Sequence, residues 1–173
     1  VSRNGTLRDL PAGARVGSSS PRRMSQLRAL RPDLELRDMR GNVDTRLRKL
    51  MAGDYDAIVL AAAGLIRLGR EDVDTEWLPA ATMIPCVGQG ALAVEARADD
   101  AELLTLLSRL DDAPTRARVL AERAFLAERG AGCLAAVAAH ATLNVEGDRL
   151  TLRAMIGDTT GRRQIGEAAG PTR

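Results

Sequence analysis

The residues best suited to chemistry in this sequence are arginines that follow short apolar runs near the amino terminus. Arg22 and Arg23 come directly after a turn of glycine, three serines and a proline at 17–21. A guanidinium group is planar, stays charged and can form two parallel hydrogen bonds with a carboxylate. The proline can open a helix, Ser19 or Ser20 can cap it, and the free N–H groups of a helix start favour a negative charge. The pattern therefore predicts a receptor for an anion, either a carboxylate or a phosphate.

The first 70 residues alternate between strand and helix patterns. Short strands are predicted at 15–16, 34–39 and 56–61. Helices are predicted at 21–30, from Asn42 to 51, and at 62–68, and Leu47, Leu50 and Met51 form the apolar stripe of the second. This order predicts an α/β fold with a parallel sheet and right-handed crossovers, of the type found in two-domain solute-binding proteins.

Arginines recur at the predicted strand ends. Because ligands of parallel sheets bind beyond the carboxyl ends of the strands, these side chains should converge on one edge. The set consists of Arg22, Arg23, Arg40, Arg46 and, less directly, Arg67. Any single member could equally be an ordinary surface residue, and the prediction of an anion site depends on the set.

The second half of the chain has a different character. A short strand is predicted at 92–95 and an amphipathic helix at 99–110. A further helix from Pro114 to Ala127 should turn Ala117, Leu120, Ala121 and Ala124 inward. Strands at 135–143, 149–156 and 162–167, separated by turns, predict a three-stranded antiparallel meander within a small α+β domain. Gly88 and Gly90 fit either a hinge between domains or a plain turn.

Composition and charge narrow the function classes. The chain is 45% hydrophobic but only 2% aromatic, so a globular core of aliphatic residues is expected. The first 50 residues contain 12 basic and 5 acidic side chains, which is consistent either with an anionic partner or with ordinary solvated helix faces. Nucleic acid is poorly supported, because no aromatic residues are interleaved with the basic ones. The absence of a long apolar run or a signal peptide predicts a cytoplasmic protein without a membrane partner.

Two residues outside the arginine set could carry chemistry. Cys133 lies in a glycine-flanked loop, where a thiol could be a nucleophile, an attachment point or simply a structural residue. His140 is more consistent with a packed or surface position in a strand. No group of residues has the spacing of metal ligands.

Several stretches of the chain resemble the porphobilinogen deaminase family, also called the hydroxymethylbilane synthases. They keep the family's order and spacing over essentially all 173 residues. The stretches are VGSSSPRR at 16–23, LRDMRGNVDTRL at 36–47, YDAIVLAAAGL at 55–65, PCVGQGA at 85–91 and AERA at 121–124.

The resemblance implies a transferase that joins four porphobilinogen molecules into the linear tetrapyrrole hydroxymethylbilane, with release of ammonia, in haem biosynthesis. It implies a dipyrromethane cofactor held by a thioether to Cys133. The cofactor would also be bound by Ser18, Ser19, Ser20, Arg22 and Arg23, and the substrate and growing polypyrrole chain by Arg40, Arg46 and Arg67. Asp38 and Asp44 are interpreted as local partners of these arginines.

The resemblance also implies a domain organisation. Residues 1–84 would form the second domain of three, 85–110 a returning segment of the first, and 111–173 an incomplete third domain. The chain is then a fragment without the catalytic aspartate, inactive alone, of a protein that is a monomer when complete. The sequence departs from the family pattern at 134–138, which lacks the usual proline and glycine. The alternatives are a non-enzymatic anion-binding module and a degraded paralogue.

Overall fold

The structure, a computed structural model, describes residues 1–70, 73, 75–130 and 136–172. The first part of the chain forms a parallel sheet of β1 (Arg15–Gly17), β2 (Glu35–Arg37) and β3 (Ala57–Ile58), in the order β2-β1-β3. Each strand is followed by a helix, which confirms the predicted alternation.

The three helices begin where the sequence predicts. They are α1 (Pro21–Leu30), α2 (Val43–Met51) and α3 (Ala62–Arg67). Ser20 caps α1 and Asn42 caps α2 through their side-chain oxygens. β2 and β3 are shorter than predicted, whereas β1 extends one residue further, to Gly17. β3 pairs with two of the three residues of β1: Ala57 lies opposite Val16, and Ile58 lies opposite Gly17.

Apolar clusters form the core of this part of the chain. One contains Leu10, Val16, Leu27 and Met83, and another contains Met39, Leu47, Leu50, Ile58 and Leu65. The prediction that Met51 is buried is wrong, since it is 54% exposed. Met51 lies one residue beyond Leu50, and successive helical residues are rotated by about 100°. It therefore leaves the stripe formed by Leu47 and Leu50.

An ion pair ties β1 to the residue before β3. The Asp56 carboxylate accepts hydrogen bonds from the backbone N–H of Arg15 at 2.8 Å and from its Nε and Nη2 at 3.0 Å. These bonds hold the pKa of Asp56 at about 2, below the ordinary value of 3.8. The ionised form thus favours the folded state, and this stability is lost as the pH falls from 3.8 towards 2.

Replacing Asp56 by asparagine is expected to lower the free energy of unfolding at pH 7 by about 1–2 kcal/mol, allowing for solvent screening of this partly exposed pair. Below pH 3.8 the difference between wild type and variant should shrink, because the wild-type carboxylate becomes protonated. Urea unfolding between pH 7 and pH 2.5 measures both effects. Asp54→Asn, at an exposed neighbouring position, is the control. A difference that does not change with pH would contradict the assignment.

The second part of the chain contains helices and an antiparallel sheet. The helices are α4 (Ala101–Leu107), which runs into a 3-10 turn at Ser108–Leu110, and α5 (Ala113–Arg129). The strands are β4 (Ala136–Leu143), β5 (Arg149–Gly157) and β6 (Arg163–Pro171), paired in that order. The predicted meander is confirmed.

The strand predicted at 92–95 is wrong, because the structure shows no regular element there. Leu92 and Val94 are 78% and 64% exposed. Within the described residues no strand lies beside this segment to provide a hydrogen-bonded ladder. Helix α4 likewise buries none of its side chains, so its predicted apolar face is open.

The inward face predicted for α5 is also wrong in part. Leu120 is 58% exposed and Ala124 is exposed, whereas the buried side chain of this helix is Glu122. A hydrophobic pattern misses such a position, because Glu122 is buried through hydrogen bonds to the backbone rather than through apolar contact.

Helix α1 packs between the two sheets. Its residue Ser25 is fully buried and lies against Gly157 at the end of β5. A side chain at Gly157 would collide with the Ser25 hydroxyl, so the glycine allows the close approach. Through this contact the helix that carries Arg22 and Arg23 rests directly on the antiparallel sheet.

Candidate anion-binding site

The candidate site lies where the three parallel strands end. The residues that follow β1, β2 and β3 meet at one edge of the sheet because the strands run in the same direction. Hydrogen bonds join these loops: Ser18 donates its N–H to Arg37 at 3.0 Å, and Val59 donates to Gly17 at 3.2 Å. The edge is therefore a connected surface.

The serines of the turn build this edge. The Ser19 hydroxyl accepts the N–H of Met39 at 3.1 Å and donates to the Met39 carbonyl. The buried Ser18 hydroxyl accepts the N–H of Ser20 at 3.3 Å, and the Ser20 hydroxyl caps α1. All three oxygens thus have partners within the protein.

Arg22 and Arg23 are anchored on α1 by carbonyl groups. Arg22 is 7% exposed and donates through Nη1 to the Ile84 carbonyl at 3.0 Å. Arg23 donates through Nη1 to the Val59 carbonyl at 3.0 Å, directly after β3. Each guanidinium has five N–H donors, so these contacts orient the groups and leave further donors for a ligand.

The cluster of Arg22, Arg23 and Arg46 is electrostatically unfavourable by itself. Burial, followed by the positive charges of Arg22 and Arg46, lowers the pKa of Arg23 to about 10. Burial also lowers the pKa of Arg22, while the neighbouring Cys86 acts in the opposite direction. Bringing like charges together out of water costs free energy, which an anion would recover. The arrangement is therefore suited to binding a negatively charged ligand.

A cavity of about 210 Å³ adjoins this cluster. Arg22 and Arg23 contribute to its wall, which is otherwise mainly apolar and includes Val59, Leu65 and Leu78. Gln89 also lines the cavity, so the glycine-rich turn at 88–90 lies at its wall. A site that combines cations with apolar walls suits a flat organic molecule that carries carboxylates.

Of the other predicted arginines, two are exposed and the third, Arg46, is half-buried. Arg46 is held by a 2.8 Å hydrogen bond from Nε to the Gly41 carbonyl. Arg40 follows β2, with 88% of its side chain exposed and a 3.3 Å ion pair with Asp38. Arg67 is exposed in the last turn of α3. Among the described residues, no contact joins Arg40 or Arg67 to the other three arginines.

Of the two aspartates interpreted as local partners, Asp38 pairs with Arg40, whereas Asp44 contacts Arg70 at 3.2 Å. Arg70 was not among the predicted residues. Asp44 lies in the first turn of α2 and faces Arg70, which follows α3. It does not pair with Arg46, two residues further along the same helix.

The structure places His140 in β4, half-buried, with Nδ1 3.9 Å from the Glu122 carboxylate. Cys133 lies outside the described residues. Sequence reasoning missed Gln26, whose side chain both donates to the Ile84 carbonyl and accepts its N–H. The only signal for Gln26 is its position four residues after Arg22 on one helix face. Glu122 was in a recognised motif but had no role assigned.

Further functional classes receive no support from the part of the chain that the structure describes. It contains no group of three or more His, Cys, Asp or Glu side chains that could hold a metal ion. None of its helices has both the length and the apolar character needed to cross a membrane.

The fold and site together define an α/β protein with a cluster of arginines at the edge of its parallel sheet. A family model described as "Porphobilinogen deaminase, dipyromethane cofactor binding domain" matches residues 1–105. A second, "Porphobilinogen deaminase, C-terminal domain", matches residues 116–171. The chain belongs to the porphobilinogen deaminase family.

Individual relatives agree with this assignment. The chain is 62% identical to a porphobilinogen deaminase of Roseiflexus castenholzii over 95% of its own length and 54% of that protein. It is 50% identical to one from Brevibacillus brevis, over 95% of the chain and 53% of the relative. It is 59% identical to a porphobilinogen deaminase of Mycobacterium bovis, over 82% of the chain and 46% of the relative. The chain thus spans about half the length of these curated relatives.

Proposed function

We propose that the chain is part of a hydroxymethylbilane synthase, a transferase that joins four porphobilinogen molecules into hydroxymethylbilane and releases ammonia. The observation that carries this proposal is the cluster of Arg22, Arg23 and Arg46 at the edge of the parallel sheet. Porphobilinogen carries an acetate and a propionate group on each pyrrole. A growing chain of pyrroles therefore needs several fixed cations beside a surface on which flat rings can lie.

The residues present fit the dipyrromethane cofactor that the matched family model names. The cofactor's carboxylates would be held by Arg22 and Arg23, whose buried positive charges repel each other without an anion. The serine turn at 18–20 would fix the sheet edge, and the hydroxyls of Ser18 and Ser20, which accept backbone N–H groups, can still donate their O–H to a cofactor carboxylate. When bound, the cofactor supplies the pyrrole end to which new units are added. Cys133 is proposed as its thioether attachment.

Substrate carboxylates would be bound by Arg40, Arg46 and Arg67. Arg40 and Arg67 are exposed, which allows the side-chain movement that a product lengthening by one unit at a time requires. No acid or base for the chemistry is assigned to Asp38 or Asp44, because each pairs with an arginine.

We further propose the domain organisation 1–84, 85–110 and 111–173, with the first unit of the two-domain solute-binding-protein type. The sheet order β2-β1-β3 and the helix after each strand support that type. The open side chains of Leu92, Val94 and α4 support a role for 85–110 as a segment that packs on another domain. We propose a cytoplasmic monomer whose partners are porphobilinogen and the polypyrrole chain, without nucleic acid or membrane.

The test compares this 173-residue chain with a full-length protein that contains it. The full-length protein should form hydroxymethylbilane from porphobilinogen. The 173-residue chain should form none, because the catalytic aspartate that the family resemblance implies is not assigned to any residue of this chain. Product formation is followed by its absorbance after oxidation to porphyrin. Turnover by the 173-residue chain would contradict the proposal that it is incomplete. A full-length protein that binds porphobilinogen without turnover would instead support an anion-binding module.

A further inference from the structure

The proposed function leaves one buried charged group without a role. Glu122 of α5 is 6% exposed. Its Oε2 accepts the N–H of Gly88 at 2.6 Å, and its Oε1 accepts the N–H of Ala141 at 2.9 Å. A buried carboxylate is strongly destabilising unless such hydrogen bonds replace its hydration. The two backbone amides therefore replace the hydration that the Glu122 carboxyl group loses on burial.

These hydrogen bonds join three segments that are distant in sequence. Glu122 lies on α5, Ala141 lies in β4, and Gly88 lies in a turn with a positive φ of 70°. The positive φ presents the Gly88 N–H to the carboxylate, and a residue with a side chain would be strained there. A single side chain thus holds the turn against the antiparallel sheet.

The turn continues a segment, 84–88, that we call the crossing segment. At its start, the Ile84 N–H donates to Gln26 Oε1 at 2.7 Å, and the Ile84 carbonyl accepts from Arg22 Nη1 at 3.0 Å. In its middle, the Pro85 carbonyl accepts the N–H of Ala139 at 3.3 Å. The crossing segment is therefore fixed to the arginine cluster at one end and by Glu122 at the other.

We propose that Glu122 is a positioning residue that holds the crossing segment, and through the Ile84 carbonyl sets the orientation of the Arg22 guanidinium. The expected effect of Glu122 on ligand binding rests on the proposed function, since it requires Arg22 to bind an anion. The expected effect of Glu122 on the position of the crossing segment is independent of the proposed function. Loss of the Gly88 contact releases that end of the segment and leaves the rest held by Gln26 and Ala139. The Ile84 carbonyl that orients Arg22 is then less firmly placed.

The chemistry of Glu122 requires two acceptors. Both of its partners are N–H donors, so each carboxylate oxygen must accept. Glutamine has the same shape but only one acceptor oxygen, and its NH₂ group would face one of the two amides. The His140 Nδ1 lies 3.9 Å from Glu122 Oε1, too far for a hydrogen bond. Glu122→Gln is therefore a nearly isosteric test.

The experiment measures amide hydrogen exchange by NMR on the 173-residue chain, together with the affinity for citrate as a simple polycarboxylate probe. In wild type, the Gly88 and Ala141 amides should be protected. In Glu122→Gln, exchange at Gly88 and Ile84 should be at least about tenfold faster, as expected when one hydrogen bond to a charged group is lost. Citrate should bind about five- to tenfold more weakly. The matched control is Glu128→Gln, at an exposed position of the same helix.

The readouts separate a positioning role from general stabilisation. Exchange at Val16, in the core of the other sheet, reports unfolding of the whole chain and should be the same in both variants. Unprotected Gly88 in wild type would overturn the proposal even if the variant fails to fold. Unchanged exchange at Gly88 in Glu122→Gln, or faster exchange with unchanged citrate affinity, would also overturn it. If wild type binds no citrate, the anion site is wrong, while faster exchange at Gly88 and Ile84 would still support the positioning of the crossing segment.

Discussion

Replacing Cys133 by alanine in a full-length protein that contains this chain is expected to abolish both the covalent cofactor and all detectable turnover. Alanine has no sulfur to form the proposed thioether, so the first pyrrole unit has no fixed starting point. Intact-protein mass spectrometry measures the loss of the attached dipyrromethane, and the porphobilinogen assay measures the loss of activity.

The matched control is Cys86→Ala, at the chain's other cysteine. Cys86 is exposed beside Arg22 and should remain unmodified in wild type. Its substitution should leave the mass of the attached group unchanged. An active full-length protein in which Cys133 carries no added mass would contradict the assignment. Added mass that moves with Cys86 instead would place the attachment at the arginine cluster.

Replacing Arg46 by leucine is expected to weaken the binding of porphobilinogen or citrate by about 10- to 100-fold. A charge-assisted hydrogen bond to a carboxylate contributes about 1.5–3 kcal/mol, which corresponds to that range. Isothermal titration calorimetry measures the affinity. The fold should tolerate the change, because Arg46 is only half-buried and its recorded hydrogen bond among the described residues goes to the nearby Gly41 carbonyl. Stability should be unchanged or slightly higher, since one of the charges that repels Arg23 is removed.

Arg48→Leu is the matched control for this prediction. Arg48 lies two residues further along α2, is exposed, and donates from Nη2 to Thr45. Two residues correspond to about 200° around a helix, so Arg48 faces away from the cluster. Equal losses of affinity in both variants would show that net charge, and not the arginine cluster, binds the anion. A loss confined to Arg46→Leu supports the site.

The general architecture could be predicted from local sequence. The alternation of apolar runs with capped helices identified the parallel sheet, because Ser20 and Asn42 are followed by helical spacing and act through local hydrogen bonds. The antiparallel meander was identified by the turns at 146–148 and 158–161, because turn residues also act through local contacts. Strand lengths could not be predicted, because a strand extends only as far as its neighbour offers partners.

The candidate site was predicted only in part. The sequence indicated which arginines follow the strands, since parallel strands must end at the same edge. Which of them meet depended on tertiary contacts: Arg22 and Arg23 are turned by the carbonyls of Ile84 and Val59, while Arg40 points into solvent.

The sequence by itself therefore determined the fold class, the helix starts and the excess of positive charge at one sheet edge. All of these follow from residues that are neighbours in the chain. The tertiary structure decided the placement of Gln26, Glu122 and the crossing segment. Gln26 is 58 residues from its partner Ile84, and Glu122 is 34 and 19 residues from its partners Gly88 and Ala141. A buried polar side chain is satisfied by backbone groups whose positions no local pattern encodes.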